Sequence, residues 1–185
     1  MKQKIRRIVI IIIDKLLYVV LGKTQFAKYK GVKVGEGCRI YSRNFGSEPF
    51  LISIGNKVTI TPGVQFITHD GSGWLFNDQR GRRFSYAPIS IGNNVFIGVN
   101  SIIMPGVKIG NNVIVAAGSV VNRSVPDNSI IGGVPAKFIG DYAKFKEKVL
   151  NKWVSGKDLD YTLSYKERIM KIIDTVPKDY LKHGS

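Results

Sequence analysis

The sequence predicts a mainly β chain whose middle is a parallel β-helix, a solenoid of six-residue repeats, with helical segments before and after it. Three observations carry this prediction. β-Branched residues recur at every sixth position over a long stretch, Gly and Asn stand between them at fixed places, and the phase breaks only twice before the pattern closes after Pro126.

The repeat is clearest over residues 91–126. In sixes it reads Ile91-Gly-Asn-Asn-Val95-Phe, Ile97-Gly-Val-Asn-Ser101-Ile, Ile103-Met-Pro-Gly-Val107-Lys, Ile109-Gly-Asn-Asn-Val113-Ile, Val115-Ala-Ala-Gly-Ser119-Val and Val121-Asn-Arg-Ser-Val125-Pro. Every hexad begins with Ile or Val, and its fifth place is Val or Ser. A helix would space its apolar residues by three and four, and a long half-buried strand by two. A period of six suits a chain that turns a corner every six residues, with Ile or Val pointing inward and Gly or Asn at the corner, where φ > 0 is tolerated. Three such faces close a coil, and stacked coils bury one aliphatic column.

The same phase extends upstream through Ile54-Gly-Asn-Lys-Val58-Thr and Ile60-Thr-Pro-Gly-Val64-Gln, and less regularly through Val34, Cys38 and Ile40. Between Ile40 and Ile54 the count is two residues too long, which puts a small insertion near Phe45–Phe50. Between Phe66 and Ile91 the phase is lost, so residues 71–88 form an excursion off the coil. A loop of that length inside a compact repeat is usually functional.

The flanks read differently. The net charge of +15 is concentrated at the start: residues 1–33 hold nine Lys or Arg against Asp14 alone. An anionic membrane, a phosphate-rich cofactor and nucleic acid are the partners such charge suits. No zinc-finger spacing, RNP-like strand or recognition helix accompanies it, so nucleic acid is not expected. The apolar runs 8–13 and 16–21 are split by Asp14-Lys15, too short to span a bilayer and unlike a signal peptide. The segment reads as a basic amphipathic helix, packed on the protein or lying on the inner membrane surface. Helices are expected over Tyr142–Val154 and Tyr165–Ile173, capping the end of the column. The expected division is 1–33 helical segment, 34–140 β-helix domain and 141–185 helical cap and tail. A single cysteine, Cys38, rules out an intrachain disulfide and fits the cytoplasm. Its inward place marks it as a core residue.

Of two histidines, His183 lies in the C-terminal tail and His69 stands where the repeat breaks, beside the excursion. Imidazole titrates near neutral pH, which suits a general base. Asp70 and Glu48 are the candidates to orient it. Glu48 sits in the small insertion among Phe45, Pro49, Phe50 and Leu51, a context in which a carboxylate needs a reason.

The stretch Ile91–Ile139 resembles the C-terminal half of hexapeptide-repeat acetyltransferases, similar to the sugar O-acetyltransferases of the maltose and galactoside type and to polysaccharide-modifying relatives. The resemblance covers about residues 34–140. It implies a left-handed parallel β-helix, a homotrimer with active sites between subunits, acetyl-CoA as co-substrate without a metal, and His69 as general base in a direct transfer. It further implies that the small residues Ala117 and Gly118 line the pantetheine arm. Pro135 and Ala136 would lie against adenine, and Lys137 with Arg123 would approach the CoA phosphates. The acceptor is expected to be a sugar or a cell-surface polysaccharide precursor. Where the family's sugar enzymes often carry His-Pro, this chain has His69-Asp70. The following loop, with Trp74, Phe76, Arg80, Arg82, Arg83 and Tyr86, also differs. Aromatic residues beside arginines suit a sugar bearing acidic groups or phosphate, with Trp74, Arg80 and Arg82 as the leading contacts.

Two other functions compete. A nucleotide-sugar N-acetyltransferase would use the same fold. A non-enzymatic solenoid would need neither His69 nor the Pro135-Ala136-Lys137 ending. A γ-type carbonic anhydrase needs three zinc-binding histidines, which this chain lacks.

Overall fold

A computed structural model describes residues 13–178 apart from Lys15. Two compact units are present, the first reaching Phe145 and the second beginning at Lys146.

Among the described residues, most strands of the first unit form three ladders of parallel strands, one for each face of a coil, and four short strands pair antiparallel outside them. The first joins Lys33–Val34, Ile52–Ile54, Ile89–Ile91 and Lys108–Ile109. The second joins Arg39–Ile40, Thr59–Ile60, Val95–Ile97, Val113–Val115 and Ser129–Gly132, and the third Gln65–Phe66, Ile102–Ile103 and Val120–Val121. Partners lie eighteen residues apart through the regular part, as Val95 to Val113 and Ile102 to Val120, which is three hexads. The inward places are buried as the repeat predicts: Ile54, Val58, Ile60, Ile91, Val95, Ile97, Ile103, Ile109, Val113, Val115 and Val121 form one cluster. Burying each Ile or Val contributes roughly 1.5–3 kcal/mol, so the column is the main source of stability. Ser101 and Ser119, also inward, satisfy their hydroxyls on the carbonyl of Ala116 at 3.1 and 2.6 Å, so neither is a polar group stranded in the core.

Corner chemistry explains the Gly-Asn-Asn motif. The second Asn takes the left-handed region, with φ of 55° at Asn94 and 54° at Asn112. The first Asn points its amide carbonyl along the stack. Asn93 Oδ1 accepts from the backbone N–H of Asn56, Asn111 from that of Asn93, and Asp127 from that of Asn111, each at 2.8 Å. The glycine before them leaves room for the next coil: a Cβ on Gly92 would lie 2.6 Å from the Gly110 carbonyl oxygen.

The phase differs from expectation at the end. Val125, read as a fifth-place residue, bridges to Ile109 and so takes an inward first place two residues early. The Ser124 hydroxyl fills the gap by accepting from the N–H of Lys108 at 3.0 Å. The ladder then closes with Lys137–Asp141 running antiparallel on Ser129–Gly132.

At the other end, the helix Lys23–Tyr29 buries Phe26 and Ala27, and Ala27 joins the core cluster. Residues 16–21 are also helical and leave Leu16, Val19 and Val20 exposed, with Tyr18 packed edge-on against Phe26 at 5.3 Å. The basic residues 2–7 and the apolar run 8–12 lie outside the described residues, as does His183. Cys38 is half-buried against the core, its thiol donating to the Gly55 carbonyl at 3.1 Å.

In the second unit, Ser155 with Asp158 and Ser164 with Glu167 make reciprocal capping boxes, the latter starting the helix Tyr165–Ile172. The helix Tyr142–Lys152 crosses the boundary between the units.

Candidate active site

Both breaks in the repeat meet at His69. The first break is the insertion after Ile40. Its chain is tied down by Ser42, whose hydroxyl donates to the Val64 carbonyl at 2.7 Å and accepts from the N–H of Asn44. Phe45 is buried and stacks on Phe66 at 5.9 Å. Gly46 follows with φ of 68°, so close to the Phe66 carbonyl that a Cβ would lie 2.8 Å away. This anchored turn delivers Glu48 to the neighbouring coil.

The second break starts at Thr68, which is buried. His69–Asp70 leaves the coil and pairs antiparallel with Ser85–Tyr86, setting His69 opposite Tyr86. Glu48 Oε2 then accepts two hydrogen bonds, from the Thr68 hydroxyl at 2.5 Å and from His69 Nδ1 at 2.9 Å. The Thr68 bond first, and the His69 bond second, hold the Glu48 carboxyl below the usual carboxylate value. An ionised carboxylate can only accept, so Nδ1 carries a proton, and in the neutral form of the ring the lone pair is on Nε2. Among the described residues Nε2 has no hydrogen-bond partner. The Glu48 side chain is 16% exposed and that of His69 40%, so a half-buried carboxylate holds a solvent-accessible imidazole. A cavity of about 180 Å³ lies beside the imidazole, lined by Asn44, Gly46, Ser47, Gln65, Ile67 and Thr68.

Asp70, the other carboxylate expected beside His69, is used locally. Its Oδ1 accepts from the N–H of Ser72 at 2.8 Å and caps the 3-10 turn Gly71–Leu75. That backbone bond also lowers the Asp70 carboxyl.

The excursion is a folded ribbon. Trp74 sits on the 3-10 turn, and Asn77–Asp78 forms a hairpin with Gly81–Arg82. Arg80, at its tip, is exposed. Phe84, which sequence reasoning passed over, stacks on Tyr86. The alternation of Arg82, Phe84 and Tyr86 was the available signal. Thr68 was passed over too, since a buried Thr on a coil reads as core.

Residues expected at the cofactor fall into two groups. Arg123, Ala136 and Lys137 line one cavity of about 220 Å³ with Val121, Val125 and Ile131. Ala117 and Gly118 form an exposed corner away from that cavity's lining, Gly118 at φ of 69°. Pro135 is exposed and does not line the cavity. The backbone joins the groups, because Val120 bonds through its N–H to Gly133 at 3.0 Å and through its carbonyl to the N–H of Ala136 at 2.8 Å. No cluster of metal-ligating side chains occurs among the described residues.

Residues 88–123 match the sequence profile described as the hexapeptide repeat of succinyl-transferase. Over 169 residues the chain is 49% identical to protein CapG of Staphylococcus aureus, covering 86% of this chain and 95% of that one. It is 37% identical over 92 residues to the galactoside O-acetyltransferase of Escherichia coli strain K12, covering 50% of this chain and 45% of that one. Among solved structures, a hexapeptide-repeat-containing acetyltransferase of Vibrio cholerae superposes with a TM-score of 0.50 at 31% identity, over 61% of this chain and 64% of that one. The chain therefore spans nearly all of CapG but about half of the galactoside enzyme.

Proposed function

Since the chain belongs to the hexapeptide-repeat acetyltransferase family, we propose that it transfers the acetyl group of acetyl-CoA to a hydroxyl of a sugar or cell-surface polysaccharide precursor, with His69 as general base. The observation that carries this reading is the Thr68–Glu48–His69 relay, which fixes the imidazole tautomer and leaves Nε2 able to take a proton. A sugar hydroxyl placed at Nε2 gives up its proton as its oxygen attacks the thioester carbonyl. Collapse of the adduct breaks the C–S bond. The imidazolium then returns the proton to the departing thiolate, giving an acetyl ester and free CoA. Glu48 stabilises the imidazolium as it forms and is a positioning residue.

Acetyl-CoA lies along the corner of Ala117 and Gly118, with Pro135 and Ala136 against adenine and Arg123 and Lys137 towards the phosphates. Their exposure and small size at the corner support this placement. The coil winds left-handed, and three chains assemble with the site completed between subunits, as the family membership implies. The enzyme works in the cytoplasm. The exposed Leu16, Val19 and Val20, in a segment whose sequence is rich in Lys and Arg, support contact with the inner membrane surface. No described helix is long and apolar enough to cross a membrane.

The test is incubation with acetyl-CoA and a panel of sugars, nucleotide sugars and oligosaccharides. Thiol release is followed, and the product is mapped by NMR. An acetyl ester on a sugar hydroxyl is the expected product. Acetylation of an amine instead would assign the chain to the N-acetyltransferases.

A further inference from the structure

Four aromatic or cationic side chains continue outward from His69 in one stacked strip. The imidazole lies 5.8 Å from the Tyr86 ring, and Tyr86 stacks on Phe84 at 6.3 Å with planes 10° apart. The Arg82 guanidinium carbon sits 4.7 Å from the centre of the Phe84 ring and 5.2 Å from that of Trp74. The rings are open to solvent: Trp74 is 71% exposed, Phe84 62% and Tyr86 54%. Exposed aromatic surface of this kind is a feature of interaction and ligand-binding surfaces.

The charges in the excursion are distributed unevenly. Its one acid, Asp78, pairs with Arg83 at 2.5 Å, and Asp70, just before the excursion, accepts from the N–H of Ser72. Arg82 has no carboxylate within salt-bridge distance among the described residues. Two rings within 5.2 Å of its guanidinium carbon confine Arg82 beside them, and a guanidinium without a carboxylate partner suits the paired oxygens of a carboxylate or phosphate. Aromatic faces carry negative charge density and suit the C–H faces of sugar rings.

We infer that the strip Tyr86–Phe84–Arg82–Trp74 is the acceptor subsite, and that it selects a glycan bearing a carboxylate or phosphate. This rests on the acetyl-transfer reading above and adds the class of acceptor. Tyr86 and Phe84 lie between the base and Arg82, so the anion belongs to a part of the acceptor beyond the ring that is acetylated.

Two matched pairs test it on the full chain: a galacturonate trisaccharide against its carboxyl-reduced form, and maltose 1-phosphate against maltose. Transfer is followed by thiol release and binding by saturation-transfer NMR, for wild type, Arg82→Gln and Arg82→Lys. Wild type is expected to favour a charged member about 10–100-fold in kcat/KM, mainly through KM. Arg82→Gln should bring that ratio towards one, and Arg82→Lys should restore part of it. The pair that responds identifies the anion as carboxylate or phosphate. Equal use of charged and neutral members by wild type overturns the subsite and leaves acetyl transfer standing. Charged-member binding that Arg82→Gln abolishes, without transfer by wild type, supports the subsite and overturns the acetyl-transfer reading. Neither binding nor transfer of any charged member overturns the subsite. So does a change in sedimentation mass for Arg82→Gln or Trp74→Ala, which would assign the strip to a contact between copies of the chain.

Discussion

Glu48 and His69 are twenty-one residues apart in the chain, yet their side chains meet at 2.9 Å, Oε2 to Nδ1. The contact joins the two places where the repeat is interrupted. Neither interruption would make a site alone: the insertion brings the carboxylate, and the excursion turns the imidazole out of the coil.

In the proposed mechanism, replacing Glu48 with Gln removes the charge that stabilises an imidazolium at His69. We expect kcat to fall roughly 10–1,000-fold, with a smaller change in the KM for acetyl-CoA. Thr68→Val removes the leading cause of the lowered Glu48 carboxyl and should cost kcat roughly 3–10-fold. Steady-state kinetics of the two variants checks the order of the effects.

Glu48 also makes stability depend on pH. Its carboxyl in the folded protein lies below the ordinary 4.5, held there by Thr68 first and His69 second. With the folded value depressed, the unfolded chain takes up its proton first as pH falls. The stabilisation is therefore complete above 4.5 and is lost as pH drops through the folded value. The Tm difference between wild type and Glu48→Gln should shrink over that acid range. A difference independent of pH would contradict the assignment.

At the corners, Gly92→Ala places a methyl group against the Gly110 carbonyl. The coils must part locally, at an expected cost of about 1–3 kcal/mol, read by denaturant unfolding.

Asn111→Ala removes the acceptor of the Asn93 N–H in the stacked amide ladder. The expected loss is about 1 kcal/mol, since the corner is exposed and water replaces part of the bond. Asn112→Val should cost more than Asn112→Gly, because φ at this position is 54° and a β-branched residue is strained there.

The inward column was legible because a period of six is imposed by geometry: the Ile or Val that opens each hexad from Ile54 to Ile60 and from Ile91 to Val121 is buried. The excursion was legible from its length alone. Partners across it, such as Ser53 and Ser90, are thirty-seven residues apart where a regular coil needs eighteen. The sequence offered two carboxylates for His69, Asp70 and Glu48, and which of them meets it was not legible. Asp70 is adjacent in sequence, but a local bond to Ser72 claims it, and the competitor reaches His69 only through the anchored turn at Phe45 and Gly46. The early inward turn of Val125 was hidden too, because a serine hydroxyl substituted for two residues of backbone. Arg82, Phe84 and Tyr86 alternate, but their strands are two residues long and give too short a run for period two to stand out.

The most direct test compares wild type and His69→Ala for thiol release from acetyl-CoA with a responsive acceptor, alongside a CoA-binding titration. The account predicts that acceptor-dependent release falls about 10²–10⁴-fold while CoA binding is retained. Release at the wild-type rate in His69→Ala would contradict it and place the base elsewhere.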